Sequence, residues 1–217
     1  GVPIGVLTAV FLAEVAPKPL AAIVKPAVEL LAGIPSVIYG LLGIYLLNPL
    51  MYQLERLIFR GSTTHQFTGG ANLLSAVIVL AIMILPSIIN VAMTALEAVP
   101  REYEDASLAL GATETETWFK VSVPAARSGI AAAVVLGVGR AIGEAMAVMM
   151  VSGNAPNMPG SIFESVRFLT TAVASEMSYS SGLQHQALFS IALVLYLFIL
   201  LINAALNFFL KRDKEGN

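Results

Sequence analysis

Arg140 and Glu144 stand four residues apart in GVGRAIGEAMAVMMVSG (137–153), a stretch otherwise dominated by Gly, Ala, Val, Ile and Met. On an unbroken helix turning 100° per residue they lie about 40° apart on one face, within reach of each other. A charge at the centre of a bilayer costs roughly 2.5–3.5 kcal/mol on insertion scales. Mutual pairing offsets part of that cost but does not explain it, since two apolar residues would avoid it altogether. Two readings follow: an ion pair stitching two spans together, or a pair lining a solute path. A guanidinium suits an oxyanion, which it can grip with two parallel N–H bonds, and the carboxylate would moderate that grip or gate it.

The residues around the pair say which way it faces. Small residues recur at every fourth position: Gly129, Ala133, Gly137, Ala141 and Ala145. A second set, Gly139, Gly143 and Ala147, flanks the pair on its other side. Bulky Val135, Val138, Ile142, Met146 and Met149 gather opposite. Small residues let helices approach closely in membranes, so the pair is expected to face protein or a hydrated cavity.

The elements that must position the pair are membrane helices. Of 217 residues, 57% are hydrophobic and only 12% charged, against about 25% charged in a soluble domain; the mean hydropathy is +0.82. A span needs about 20 apolar residues, and five segments reach or approach that length: 1–14, 28–51, 72–97, 125–152 and 186–210. The expected fold is therefore an all-α polytopic bundle forming a single transmembrane domain over 1–217. The opening residues read as the middle of a span, with an earlier one absent. Pro35, between Gly33 and Gly40, predicts a break in the second span, and Pro86 a kink in the third.

Charge chooses the orientation. Eight cations (Lys18, Lys25, Arg101, Lys120, Arg127, Lys211, Arg212, Lys214) fall on one side of a five-span layout, and three (Arg56, Arg60, Arg167) on the other. The positive-inside rule assigns the first set to the cytoplasm. The 98–124 loop and the C-terminus are then cytoplasmic, and loops 52–71 and 153–185 face outside. In the second outer loop, Ile162, Val166, Leu169 and Val173 recur at helical spacing. That predicts an amphipathic helix over 161–177, either capping the bundle or docking a soluble partner.

Composition also excludes classes. With no cysteine, disulfides and thiolate sites are absent, and His65 and His185 lack metal-ligand spacing and read as polar loop residues. A net charge of −2 without a basic cluster implies no nucleic-acid partner. Within the spans, Ser36, Tyr39, Ser87 and Asn90 are candidates either to line a path or to bond a neighbouring backbone. Glu29 is expected to pair with Lys25 one turn before it.

The 98–124 loop is the second informative stretch. REYEDASLALGA predicts a short helix after Pro100, ended by Gly111. TETETWFKV adds a second helical turn carrying Trp118 and Phe119, two large aromatics that suit a docking surface or pack back on the bundle.

This loop resembles the E-A-A-x3-G-x9-I-x-L-P motif of ABC importer permeases. Asp105, Ala106 and Ser107 stand at E-A-A, Gly111 at the glycine, and Val121, Ser122, Val123 and Pro124 at I-x-L-P. ELLAGIPSVIYGLLG (29–43) and GRAIGEAMAVMMVSGN (139–154) resemble the Pst-type phosphate permeases, and SEMSYSSGLQHQALFSIALVLYLFILLIN is similar to the PstC branch more than to PstA. The resemblance implies a type I, MetI-like core and a coupling helix inserted into an ATP-binding subunit through Asp105, Ala106, Ser107 and Gly111, with Trp118, Phe119 and Pro124 beside them. It implies a phosphate-importing subunit of the cell membrane surrounded by lipid. Its partners would be a second homologous permease, two cytoplasmic ATP-binding subunits and an extracytoplasmic phosphate-binding protein. Arg140, Glu144, Ser36, Tyr39 and Asn90 are the expected substrate path. No cofactor is expected on the chain itself, and it is not expected to be an enzyme. A P-loop needs a Gly-Lys step, and none of the five lysines follows a glycine. The alternatives are a permease for sulfate, molybdate or phosphonate, and an ion-coupled secondary carrier with Glu144 relaying protons.

Overall fold

The computed structural model describes residues 1–62 and 65–215, with side chains through residue 205. Among the described residues no strand forms; Gly153 and Val166 make one isolated parallel bridge. In chain order the helices are α1 (Val2–Val10), α2 (Lys18–Ala32), α3 (Ser36–Leu42), α4 (Asn48–Ile58), α5 (Leu73–Glu97), α6 (Arg101–Ala109), α7 (Glu114–Thr117), α8 (Val123–Ala125), α9 (Arg127–Gly143), α10 (Met146–Val151), α11 (Leu169–Glu176) and α12 (Gly182–Glu215). Wide π-helical turns extend α1 (Phe11–Val15), join α3 to α4 (Gly43–Leu47) and join α7 to α8 (Trp118–Ser122).

Three stretches are long and apolar enough to cross a bilayer: Ser36–Ile58, Leu73–Glu97 and Gly182–Ala205. A fourth is reached if Glu114–Ala125 and Arg127–Gly143, bent by 71°, form one broken span; Val2–Val15 is a shorter apolar helix. The all-helical, multi-span expectation stands, with local differences. The predicted 28–51 span begins at Ser36, because Ile34 and Pro35 separate it from α2, which is a helix in its own right. The break at Pro35 is where the sequence places it. α5 runs on through Pro86. The predicted 125–152 helix is divided, since α9 ends at Gly143 and α10 begins at Met146.

The chain falls into two compact units. The first holds residues 1–33, 84–140 and the chain from Ile202 onward. Here glycines permit close packing on α5. A Cβ at Gly5 of α1 or Gly137 of α9 would run into Ile88, and one at Gly129 into Ala95. Ala133, between the two α9 glycines, is fully buried. The Gly129–Ala133–Gly137 stripe is thus a helix contact, as its spacing implied. Between helices in a membrane such contacts stabilise by van der Waals packing rather than by expulsion of water.

The second unit holds 34–83 and 141–201. Its core joins Tyr39, Ala76, Val79, Met83, Ala147, Val148 and Val151. Gly40 and Gly43 let α3 and the turn after it approach α10, at Ala147, Met150 and Val151. The segment after Ser161 folds against the start of α5. The Leu73 and Leu74 N–H groups donate to the carbonyls of Glu164 and Ile162 at 2.9 and 2.8 Å, and Ser165 Oγ donates to Ala71 O at 2.6 Å. Those carbonyls satisfy donors that a helix start leaves open. The amphipathic helix expected over 161–177 is therefore confined to Leu169–Glu176, while Phe163 and Val166 are buried as a cap.

Candidate functional site

Arg140 lies in the last turn of α9, half-buried. Its Nη1–H donates to Ser87 Oγ on α5 at 2.9 Å. Among the described residues of its unit the guanidinium makes no ion pair, and Ser87 answers one of its five donors. Asn90, one turn along α5 from Ser87, has a buried Oδ1 that meets no hydrogen-bond donor among the described residues. Its main-chain carbonyl accepts from Thr94 Oγ1 at 2.9 Å.

Glu144 is in the second unit and outside any helix. Pairing with Arg140 presupposed an unbroken helix, and the helix stops one residue before the carboxylate. Glu144 Oε1 instead accepts the Ala147 N–H at 3.0 Å, closing the first turn of α10. Its carbonyl accepts Thr170 Oγ1 at 2.8 Å, tying the break to α11. A cleft of about 290 Å³ opens beside it, lined by Leu80, Ala141, Ile142, Val148, Phe168 and Thr170. Tyr39 is built into the core of the same unit, and Ser36 opens α3. The five candidate path residues thus divide: Arg140 and Asn90 in one unit, Glu144, Ser36 and Tyr39 in the other.

The 98–124 loop forms the two helical pieces its sequence implied, Arg101–Ala109 and Glu114–Thr117. Gly111 ends the element begun by α6 as predicted, at φ +88°. Its N–H donates to Leu108 O at 2.9 Å and the Ala112 N–H to Ser107 O at 3.3 Å. Those two bonds define the Schellman motif, which needs a left-handed residue at this position and favours glycine there. Thr113 and Glu116 then form a reciprocal capping box on α7. Lys120 Nζ donates to Glu116 Oε1 at 2.9 Å. That hydrogen bond, with those from Thr113, holds the Glu116 carboxyl down at about 2.

The elbow is tied across itself. The hydroxyls of Ser107 and Thr117 share a hydrogen bond of 2.8 Å, and Ser122 Oγ donates to Glu104 Oε1 at 3.0 Å. Asp105, Ala106 and Pro124 are exposed, Phe119 is exposed and Trp118 half-buried. Leu110, at the tip, is 90% exposed. Here a rigid elbow presents apolar side chains outward.

Two further readings need correction. Lys25 pairs with Glu97 at the end of α5, not with Glu29, so α2 and the start of the 98–124 loop share one end of their unit. His65 is no solvated loop residue: its side chain is 9% exposed and its Nε2–H donates at 2.8 Å to Glu55, which is fully buried. Thr68 gives the same carboxylate its N–H at 3.0 Å and its hydroxyl at 3.2 Å. Sequence reasoning missed Glu55 because the two partners are ten residues apart, across a turn that no spacing rule anticipates.

The architecture and the site define a polytopic α-helical membrane protein with a hydrogen-bonded, exposed helical elbow. The chain belongs to the family of binding-protein-dependent transport system inner membrane components, whose model matches residues 1–213. It is 41% identical over 206 residues to the probable ABC transporter permease protein YqgH of Bacillus subtilis, covering 92% of this chain and 63% of that one. It is 37% identical over 226 residues to the phosphate transport system permease protein PstC of Pasteurella multocida, covering 99% of this chain and 71% of the relative. The chain thus spans less than two thirds of YqgH. Among solved structures, a chain of the MetNI methionine ABC transporter in an inward-facing conformation superposes with a TM-score of 0.61 at 20% identity. The match covers 98% of this chain and 85% of that one, and shows a shared fold.

Proposed function

We propose that the chain is a transmembrane subunit of an ATP-driven importer that moves inorganic phosphate across the cytoplasmic membrane. The observation that carries the reading is Arg140: a guanidinium on an apolar helix, anchored to Ser87 and unpaired with any carboxylate among the described residues of its unit. In a path for a phosphate oxyanion it supplies the charge and paired N–H donors that such an anion needs. The similarity to PstC over nearly the whole chain supports phosphate as the anion.

The α6–α8 elbow is the lever. Asp105, Ala106 and Leu110 meet an ATP-binding subunit from the exposed face, while Ser107 and Gly111 keep the elbow rigid, so that ATP-driven closure of two such subunits is passed to α5 and α9. A second homologous permease completes the path, and an extracytoplasmic phosphate-binding protein delivers the anion to the outer loops. The elbow and the C-terminus lie on the cytoplasmic side, where eight of the chain's cations fall. Glu144 has a local duty, holding α10 at the helix break.

Membrane vesicles carrying the assembled transporter test this by uptake of labelled phosphate with ATP hydrolysis read in parallel. Arg140→Lys, which keeps the charge and loses the fork, is expected to lower uptake at least tenfold, about the 1.4 kcal/mol that one lost charged hydrogen bond represents. Glu144→Gln, which keeps a carbonyl acceptor for Ala147 N–H, is expected to retain most uptake. Unchanged uptake in Arg140→Lys and Arg140→Ala removes Arg140 from the path. Competition by sulfate or molybdate equal to that by phosphate overturns the choice of anion, and uptake driven by a pH gradient without ATP overturns the importer class.

A further inference from the structure

α2 has three faces, and one of them is left exposed by the described residues of its unit. At 100° per residue, Ala21, Val24, Lys25 and Val28 share a face. That face turns inward: Val28 is buried, its three companions are half-buried, and Lys25 is paired with Glu97. Leu20, Ile23, Ala27 and Leu30, spaced by three, four and three, share a second face and are all exposed, Ile23 at 72% and Leu30 at 77%. Lys18, Ala22 and Glu29 form the third, exposed and away from the apolar edge.

Two features decide what covers the apolar edge. The helix has 15 residues, about 22 Å at 1.5 Å per residue, too short for a hydrocarbon core of about 30 Å. Pro26 stands inside it and, having no N–H, frees the carbonyl of Ala22, which needs water or another donor. A dry protein contact or the bilayer centre denies it one, whereas the headgroup region supplies it. α1, which leads into α2, likewise leaves apolar side chains exposed at Ile4, Leu7 and Phe11.

We propose that α2 is an interfacial helix. It lies in the bilayer surface at the end of the unit that carries the α6–α8 elbow, with Leu20, Ile23, Ala27 and Leu30 dipped among acyl chains and Lys18 among anionic headgroups. Such three-sided placement is what an amphipathic helix adopts at a membrane surface. It anchors the end of α5, through Lys25 and Glu97, to the plane of the membrane beside the moving elbow. The proposal does not depend on which solute is carried.

The absence of cysteine makes the test clean, because each introduced thiol is unique. Nitroxide labels are placed one at a time on Leu20→Cys, Ala22→Cys, Ile23→Cys, Glu29→Cys and Leu30→Cys of the full chain, in nanodiscs of phosphatidylethanolamine and phosphatidylglycerol. Collisions with oxygen, which concentrates in hydrocarbon, and with a neutral nickel chelate, which stays in water, are compared at each site. A several-fold excess of oxygen at 20, 23 and 30, reversed at 22 and 29, is the expected pattern. Nickel dominance at 23 and 30 overturns the proposal by placing the edge in water. Low collision with both agents there overturns it in favour of a protein partner or a second copy of the chain.

Discussion

Removing the Glu55 carboxylate should unfold the end of the second unit that holds residues 55–68 more than any loop substitution of similar size. The side chain is fully buried and accepts three donors: His65 Nε2–H, Thr68 N–H and Thr68 Oγ1–H. The imidazole is held in place by Phe59, stacked at 3.7 Å and 7°, and by the edge of Phe67 at 5.3 Å. Breaking one half of such a buried pair costs about 3–5 kcal/mol, because the partner is left desolvated and unmatched. Glu55→Ala is expected in that range. Glu55→Gln keeps the shape and one acceptor and loses only the charge assistance, about 1–2 kcal/mol. For a chain of this length 1 kcal/mol corresponds to about 2–4 °C in Tm, so Glu55→Ala should melt about 6–20 °C lower in detergent. The decisive measurement is the cycle Glu55→Ala, His65→Ala and the double variant. A coupling of about 1–3 kcal/mol is expected for residues in one network. Additivity within about 0.3 kcal/mol would show that the two side chains do not stabilise each other, and the account of this site would fail.

Two predictions concern the elbow. Gly111→Ala forces a Cβ into the left-handed region at φ +88°, costing roughly 1–2 kcal/mol. Amide exchange at residues 111 and 112 should accelerate, and Gly111→Asn should be milder; unchanged exchange in Gly111→Ala would mean that the Schellman bonds do not hold the turn. For Glu116 the folded carboxyl titrates at about 2, below its ordinary value of 4.5. Its contribution to α7 is therefore complete above pH 4.5 and fades as the pH falls toward 2. Carboxyl carbon shifts in labelled protein should follow a midpoint near 2, moving up toward 4.5 in Lys120→Met. A midpoint already at the ordinary value would refute the hydrogen-bonded cap.

What could be read from the sequence was what rests on composition and local rules. α5 and the part of α12 from Ala187 to Ala205 are long, mostly apolar runs, Pro35 cannot continue a helix, and Gly111 sits one residue past the last helical turn. The Thr113–Glu116 box was equally local and went unread, hidden in a run of alternating Thr and Glu that looks merely polar. What depends on distant partners was not legible. Lys25 has Glu29 at ideal spacing and takes Glu97, 72 residues away. Ile162 and Val166 fit a helical repeat, yet they belong to a segment whose carbonyls serve the start of α5. In each case a backbone or charge elsewhere in the fold outweighed a local preference worth about half a kcal/mol.

The same consideration changes what the two charges near the middle of the chain mean. GRAIGEAMA has faultless helical spacing, so Arg140 and Glu144 look like a pair that neutralises itself. The helix ends at Gly143, and the N–H groups at the start of α10 then lack the carbonyls a continuing helix would offer. In a medium without water each such group costs several kcal/mol if left open, and Glu144 Oε1 answers one of them at Ala147. The carboxylate thereby has a backbone partner of its own. Arg140 has no equivalent explanation. A serine hydroxyl would be served as well by a neutral donor, and among the described residues of its unit no carboxylate pairs with the guanidinium. Of the two charges, the arginine is therefore the one on which the proposed anion path turns, while the permease family rests on the similarity over residues 1–213.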